Sequence, residues 1–255
     1  MLAGIGSAHA DSSDSRTLSA AEILKRMIAI YGSCKTYQDS GEVTTDFSGS
    51  GPSFRDTKPF STAFVRPARF RFEFRSAFLP FDDHWRRYLV WADGAKTRTW
   101  WDVRPGIVES PSLELALAGA TGVSRGSAQR VPAMLMPDRV WGRPLTDLVD
   151  LQRMEDAPLG KAVCFRIQGT PRRVNDPEVE ERSRQEILKT SGLDPGISTQ
   201  KPRTLWIDRS LCVLRRIDTA TESSTGLNTQ TSTTYEPSLD KAVAESSLKF
   251  DAPGA

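Results

Sequence analysis

A chain of 255 residues with 34 lysines and arginines against 32 aspartates and glutamates carries a formal net charge of only +2. Its basic residues are interspersed with acids, so it lacks the concentrated patch of a nucleic-acid binder. With 26% charged and 38% hydrophobic residues the composition is that of an ordinary soluble globular protein long enough to bury a core, and no run of about 18 apolar residues is present to form a transmembrane helix.

The first ten residues, "MLAGIGSAHA", read as the end of a secretory signal. Ala8-His9-Ala10 is a small-x-small cleavage site, and the polar "DSSDSR" comes after it. The expected boundaries are a signal remnant over residues 1 to 16 and a single domain over 17 to 255. Export is the consequence. An oxidising compartment permits one disulfide among Cys34, Cys164 and Cys212. Cys164 and Cys212 both fall in expected strands and are one candidate pair; Cys34, just after the helix, could pair with either.

The first element is a helix. Ser19 and Glu22 form a capping-box signature. Ile23, Met27, Ile30 and Tyr31 recur at helical spacing, and Gly32 and Ser33 end the run. Short strands come next at Tyr37 to Phe47, at Pro59 to Arg66 and in "RPARFRFEFR", where Phe70, Phe72 and Phe74 alternate with charged residues. Trp85 to Ala92 and Lys96 to Val103 flank Asp93-Gly94, a hairpin signal. A two-residue turn there puts Trp101 on the face of Tyr88 and Val90, and Trp85, Leu89, Trp91 and Trp100 on the other.

From Pro111 to Val149 the pattern turns helical. Ser112 caps "LELALAGA", and Pro132, Pro137 and Pro144 break the rest of the segment into short pieces. Strands resume at Leu151 to Met154 and Lys161 to Gly169. A charged interruption, an insert at about 171 to 202, holds a short helix over Val179 to Thr190. Strands then run over Thr204 to Asp208, Cys212 to Thr221 and Leu227 to Glu236. The sum is an α+β fold with about nine to eleven antiparallel strands. A sheet that large curls.

Motifs for catalysis are sparse. Asp82, Asp83 and His84 are consecutive, and neighbours in sequence rarely point at one ion. No G-x-S-x-G, P-loop or dinucleotide fingerprint occurs, so neither an enzyme activity nor any metal or other cofactor is expected. Arg69, Arg71, Arg75, Arg86 and Arg87 read as a solvated outer sheet face, and Thr44, Thr45, Thr229, Thr231, Thr233 and Thr234 as exposed strand positions. The concentration of Phe and Trp between positions 60 and 101 stands out. Aromatics on both faces of a sheet need cover on both sides, or they expose an apolar patch.

Several stretches together resemble the bacterial outer-membrane lipoprotein carrier superfamily, the LolA/LolB-like proteins. They are the helix running into "AIYGSCKTYQDSGEV", then "FVRPARFRFEF", "YLVWADGAKTRTWWDV", "TLWIDRSLCVLRRID" and "TTYEPSL". The resemblance covers nearly all of the chain after the signal remnant and includes the MucB/RseB-type and mycobacterial lipid-carrying members. It implies a strongly curved antiparallel sheet, a half-barrel, wrapped around the N-terminal helix and a helical lid segment. It further implies a non-catalytic protein that binds acyl chains of lipids or lipoproteins in an apolar cavity, in transport. The alternative is a protein-interaction or envelope-stress sensor module on the same fold. Partners would be acyl chains, with room for a protein partner and for transient membrane-surface contact, and no nucleic acid. On this reading Phe64, Phe70, Phe72, Phe74, Tyr88, Val90 and Trp101 line the cavity from the sheet. Leu117, Met134, Met136 and Trp141 line it from the helical segment. The resemblance also implies the bacterial periplasm or cell envelope as location, and, since an arginine near "RPARFRFEF" regulates lid closure in the true carriers, one of Arg66, Arg69 or Arg71 as its counterpart.

Overall fold

The computed structural model describes residues 18–49, 51–77, 85–122, 124–140, 145–172, 177–191 and 198–250. The expected signal remnant, Asp82-Asp83-His84 and Trp141 lie outside these residues.

The fold begins with helix α1 (Ala20–Ser33). Its start is closed as the sequence predicts: the Glu22 amide donates to Ser19 Oγ at 3.3 Å, and the Ser19 amide donates to Glu22 Oε2 at 2.8 Å. This reciprocal pair satisfies two otherwise orphaned donors. Ile23, Leu24, Met27 and Tyr31 then form its buried stripe.

A meander of consecutive antiparallel neighbours comes next: β1 (Thr36–Ser48), β2 (Phe54–Val65), β3 (Arg69–Ala77), β4 (Trp85–Asp93), β5 (Thr97–Trp101) and β6 (Arg104–Ser110). Two short helices, α2 (Leu113–Thr121) and α3 (Ser127–Leu135), succeed it. The hairpin of β7 (Leu148–Leu159) and β8 (Ala162–Pro171), then α4 (Pro177–Ser191), precede β9 (Ser198–Gln200), β10 (Arg203–Asp208), β11 (Leu214–Ser223), β12 (Asn228–Tyr235) and β13 (Ser238–Leu239). β12 returns to pair with β1, so one sheet has the order β6-β5-β4-β3-β2-β1-β12-β11-β10-β8-β7, with β9 on β11 and β13 on β1. β6 and β7 end the order without pairing to each other, and the sheet is an open, curved one packed on helices, the expected α+β class.

Thirteen strands exceed the nine to eleven expected. β6 reads "RPGIVES", whose Pro and Gly argue against a strand; it survives as an edge strand in which both fall where the register with β5 shifts, between the Arg104 and Ile107 pairings. β9 and β13 are too short to show a period. The helical segment also departs from expectation, since α3 runs through Pro132 instead of stopping there. Pro132 removes one intrahelical donor, but Val131, Met134 and Leu135 are buried around it, and tertiary burial outweighs that loss.

The β4–β5 turn is longer than the two residues anticipated. Ala92 pairs with Thr97, and Asp93 Oδ1 accepts from the amides of Ala95 and Lys96 at 3.0 and 2.9 Å. These bonds and the Arg98 guanidinium hold the Asp93 carboxyl well below its usual range. A shift of two residues returns every side chain to the same face, so Trp101 still shares the face of Tyr88 and lies directly opposite it.

One glycine is required by packing. Gly41 in β1 lies opposite Phe60 and Tyr235, whose rings meet edge-on at 5.5 Å over it. A Cβ there would fall on the Phe60 ring and the Thr234 carbonyl. Gly41→Ala should therefore lower unfolding free energy by about 2–3 kcal/mol, read from denaturant midpoints; an unchanged midpoint would show that the Phe60 ring yields freely.

Candidate functional site

Register decides which side chains share the concave face. Phe64 pairs with Phe70, Phe60 with Phe74, Phe72 with Val90, Phe74 with Tyr88, and Tyr88 with Trp101. All the expected sheet residues therefore lie on one face. Their rings form a continuous line: Tyr235–Phe60 5.5 Å, Phe60–Phe72 6.0 Å, Phe72–Phe74 6.2 Å, Phe74–Tyr88 5.6 Å and Tyr88–Trp101 6.2 Å. The line runs from a fully enclosed centre to Trp101, which is 38% exposed. Leu117, Met134 and Met136 from the helical segment belong to the same apolar cluster as Phe64, Phe70, Phe72, Phe74 and Val90.

The interior is occupied by the protein's own helices. Ile23, Met27 and Tyr31 of α1, Leu113 and Leu117 of α2, and Val131 and Leu135 of α3 are buried with the phenylalanines. Phe64, Phe70 and Phe72 have no exposed surface. Nothing from solvent reaches them while the helical cover stays in place.

That cover has a polar fastening. Arg66, at the end of β2, sends its guanidinium between two helix C-termini. Nε donates to the Cys34 carbonyl at 2.9 Å, and Nη2 donates to the carbonyls of Tyr31 at 3.3 Å and Leu135 at 3.2 Å. The first two carbonyls close α1 and the third closes α3, where the helix dipoles favour a cation. Of the three arginines near "RPARFRFEF", Arg66 alone joins helix ends.

Arg69 and Arg71 do something else, and for them the expectation of a solvated face is corrected, while Arg75 is exposed as expected. Arg69 grips Glu245 with two bonds of 2.8 and 2.6 Å, and Arg71 donates to the carbonyls of Ser246 and Lys249. The C-terminal stretch is thereby laid across the convex face, where the Phe250 ring meets Trp91 and Trp100 at 5.2 Å each. Beneath it Glu73 is buried among Arg71, Arg87 and Arg75 at 2.6, 3.0 and 3.2 Å. Burial alone would raise the Glu73 carboxyl; Arg87 and Arg71 outweigh it and hold it low. The second aromatic face is thus covered by the chain's own tail, which no periodicity announces.

The threonine expectation holds for the exposed Thr234 and is corrected for two others. Thr45 and Thr233 are buried, and Thr45 shares a 3.0 Å hydroxyl contact with Thr231. They lie on the concave face in register with one another's neighbours, Thr45 opposite Thr231 and Val43 opposite Thr233. The three cysteines are all free thiols, so none of the anticipated pairings is formed. Burial pushes each thiol above its ordinary range.

A buried acid escaped the sequence reading. Asp39 lies on the same face of β1 as Tyr37, whose hydroxyl donates to Asp39 Oδ2 at 2.8 Å. Burial pushes this carboxyl up to about 6, with Tyr37 and Thr62 pulling the other way. The folded protein therefore binds this proton more tightly than the unfolded chain, and stability should fall as pH rises from about 4 to 6 and then level off. Asp39→Asn keeps an acceptor for Tyr37 and removes the charge. It should flatten that slope and gain roughly 2–3 kcal/mol over the native protein at pH 7.5 relative to pH 4. Denaturant titrations at both pH values check this, and a parallel slope in the variant would assign the effect elsewhere. Among the described residues no group of three or more His, Cys, Asp or Glu could hold a metal ion.

No protein-family model and no curated protein matches the sequence. Solved structures do. LprF from Mycobacterium bovis is 12% identical over 91% of this chain and 97% of its own, with a TM-score of 0.47. LppX from Mycobacterium tuberculosis is 10% identical over 92% and 99%, with a TM-score of 0.40. A LolA superfamily protein from Nitrosomonas europaea is 8% identical over 92% and 99%, with a TM-score of 0.32. The family resemblance carried by the sequence motifs is met again among these structures. At such identities it is a likeness in the course of the chain.

Proposed function

We propose that this chain is an exported, non-catalytic protein that takes an acyl chain of a lipid or lipoprotein into its concave apolar interior. The observation that carries the reading is the fastening of the helical cover. An apolar interior continuous with a line of aromatic rings is closed by two nine-residue helices, the second of which is tied to the end of α1 by one guanidinium. The magnitudes suit exchange. Opening would expose side chains such as Leu117, Val131, Met134 and Leu135, at about 1.5–3 kcal/mol each. An acyl chain of ~16 carbons regains about 0.8 kcal/mol per CH₂. The two totals are of the same order, about 10 kcal/mol, so loading and release both stay accessible. Met134 and Met136 add side chains that repack readily.

The test is native mass spectrometry of the protein purified without detergent, then titration with a fluorescent fatty acid. Bound lipid or saturable uptake is expected. A protein that is always empty and takes up no acyl probe would end this reading. Export is checked separately by fractionation of cells expressing the full chain.

The alternative, a module that binds a protein partner, is favoured by the edge strand β6. Ile107 and Val108 are 47% and 61% exposed there, and an unpaired edge offers a strand-addition surface. Charged substitutions at these two positions should abolish partner capture and leave acyl uptake intact.

A further inference from the structure

The convex face of β3, β4 and β5 carries an apolar row of its own. Register places Glu73 opposite Leu89, Leu89 opposite Trp100 and Trp100 opposite Ile107, with Trp91 opposite Arg71 beside them. Leu89, Trp91 and Trp100 form a buried cluster separate from the main core, and Phe250 packs against it. Ile107, next in the row, is 47% exposed. The row is a groove that the segment Glu245 to Phe250 covers in part.

The way this segment is held shows what the groove selects. Two anchors grip it, five residues apart in sequence. At the first, the Arg69 guanidinium takes both oxygens of the Glu245 carboxylate. At the second, the Phe250 ring meets Trp91 and Trp100, with the guanidinium groups of Arg71 and Arg87 each 5.9 Å from its centre. Between the anchors Arg71 donates to the Ser246 and Lys249 carbonyls, which any sequence could offer. The groove thus reads a carboxylate and an aromatic ring. Charge points the same way. Arg71, Arg75 and Arg87 converge on one buried acid, Glu73, and Arg69 adds a fourth cation. Farther along the face Arg98 pairs with Asp93 and Lys96 with Glu109.

The attachment is of a kind that opens. Its root is fixed: the Lys35 amide donates to Asp240 Oδ1 at 2.6 Å, and Thr36 Oγ1 donates to the Lys241 carbonyl at 2.7 Å. Beyond the root Lys241, Ala242 and Ala244 are exposed. The side chains of the Arg69–Glu245 pair are 35% and 61% exposed, and such pairs hold weakly and are screened by salt. A segment held by side chains outside the strand ladder opens locally before the sheet does.

We propose that this groove is a docking site for an extended segment of a partner protein that presents a carboxylate and, five residues later, an aromatic ring, and that residues 245–250 occupy it in the unpartnered protein. The inference goes beyond the acyl-binding reading and is independent of it, because the groove lies on the opposite side of the sheet. Mass action sets the competition. A segment on a short tether has an effective concentration of about 1 mM, so one that binds the open groove at about 10–100 μM weakens capture of an equal competitor about 10- to 100-fold.

The probe is a fluorescent peptide of residues 241–250, KAVAESSLKF. Its anisotropy is measured with the native protein and with the double variant Glu245→Gln, Phe250→Ala, whose own segment has lost both anchors. The variant should bind the probe about 10- to 100-fold more tightly than the native protein. Its tryptophan emission should shift to the red as Trp91 and Trp100 are uncovered. Probes carrying Glu245→Gln or Phe250→Ala should each bind about ten-fold more weakly, and salt should weaken the unmodified probe. Arg69→Gln added to the variant should weaken the unmodified probe and leave the Glu245→Gln probe unchanged, which assigns the carboxylate contact to that pair. No binding of the probe to the variant would overturn the proposal and make the segment a fixed part of the fold. Concentration-dependent dimers of the native protein that the probe dissociates would also overturn it, with a second copy as the occupant. Glu245→Gln alone alters an exposed position and should raise probe binding several-fold; no rise would overturn the proposal even where the double variant fails to fold. Acyl uptake by the variant should match that of the native protein, so the outcome here leaves the acyl reading untouched.

Discussion

Phe72→Ala should lower the unfolding free energy by about 3–5 kcal/mol, the usual cost of deleting a buried aromatic ring. Phe72 has no exposed surface and sits in mid-line between Phe60 and Phe74, at 6.0 and 6.2 Å. Its ring opposes Val90 on one side and Thr62 on the other, positions that are themselves buried. Little around it can collapse into the space, so the variant should also bind a benzene-sized apolar probe in the cavity left behind. The measurement separates two states of the concave face. A ring that walls an open, solvent-filled cavity would cost ~1 kcal/mol or less when truncated, because few contacts would be lost. A large loss means the resting protein is closed and that ligand entry is coupled to movement of α2 and α3. A loss under about 1 kcal/mol would reverse that view.

Arg66→Ala should release the cover. Its guanidinium serves three carbonyls from two helix ends, and of these the Tyr31 carbonyl keeps a second donor, Cys34 Sγ at 3.3 Å, when it is removed. Charge-assisted bonds of this kind are worth roughly 1.5–3 kcal/mol, so a loss of about 2–4 kcal/mol is expected for the partly buried set. The loss should be local. Amide exchange should accelerate across 127–135 more than in β1 or β2, and uptake of an acyl probe should quicken. Arg66→Lys should recover only part of both effects, because an ammonium lacks the planar fork that reaches two helices at once. Unchanged exchange in α3 together with unchanged uptake would remove Arg66 from any gating role and leave it a cap for α1.

These two residues differ in how visible they are in the sequence. Phe72 is legible: alternation in "RFRFEF" puts three phenylalanines on one face, and the register with β2 and β4 agrees. Arg66 is one of three arginines in a short stretch. Its neighbours at 69 and 71 point to the convex face and hold the C-terminal stretch, while Arg66 sits at the strand end. Strand parity assigns Arg69 and Arg71 to one side; which partner waits there depends on residues about 175 positions away. Asp39 could have been found, since Tyr37, Asp39, Gly41 and Val43 alternate on one face of β1. A carboxylate in that row signals either a false strand or a buried acid.

The sequence by itself determined the elements and their faces, because these depend on short-range periodicity. Ser19 and Glu22 close the first helix, Ser112 caps α2, and the aromatic row from Phe64 to Trp101 stays on one side even though the β4–β5 turn is two residues longer than expected. Tertiary structure alone decided what each face meets. β12 returns to β1 across some 190 residues, and this pairing creates the concave interior and places Thr231 and Thr233 inside it. The same closure fills that interior with α1, α2 and α3, lays Phe250 over Trp91 and Trp100, and gathers Arg125, Arg130 and Arg203 around one pocket. Burial and charge pairing are properties of the assembled chain, and they turn a row of phenylalanines into a closed core with a fastened cover.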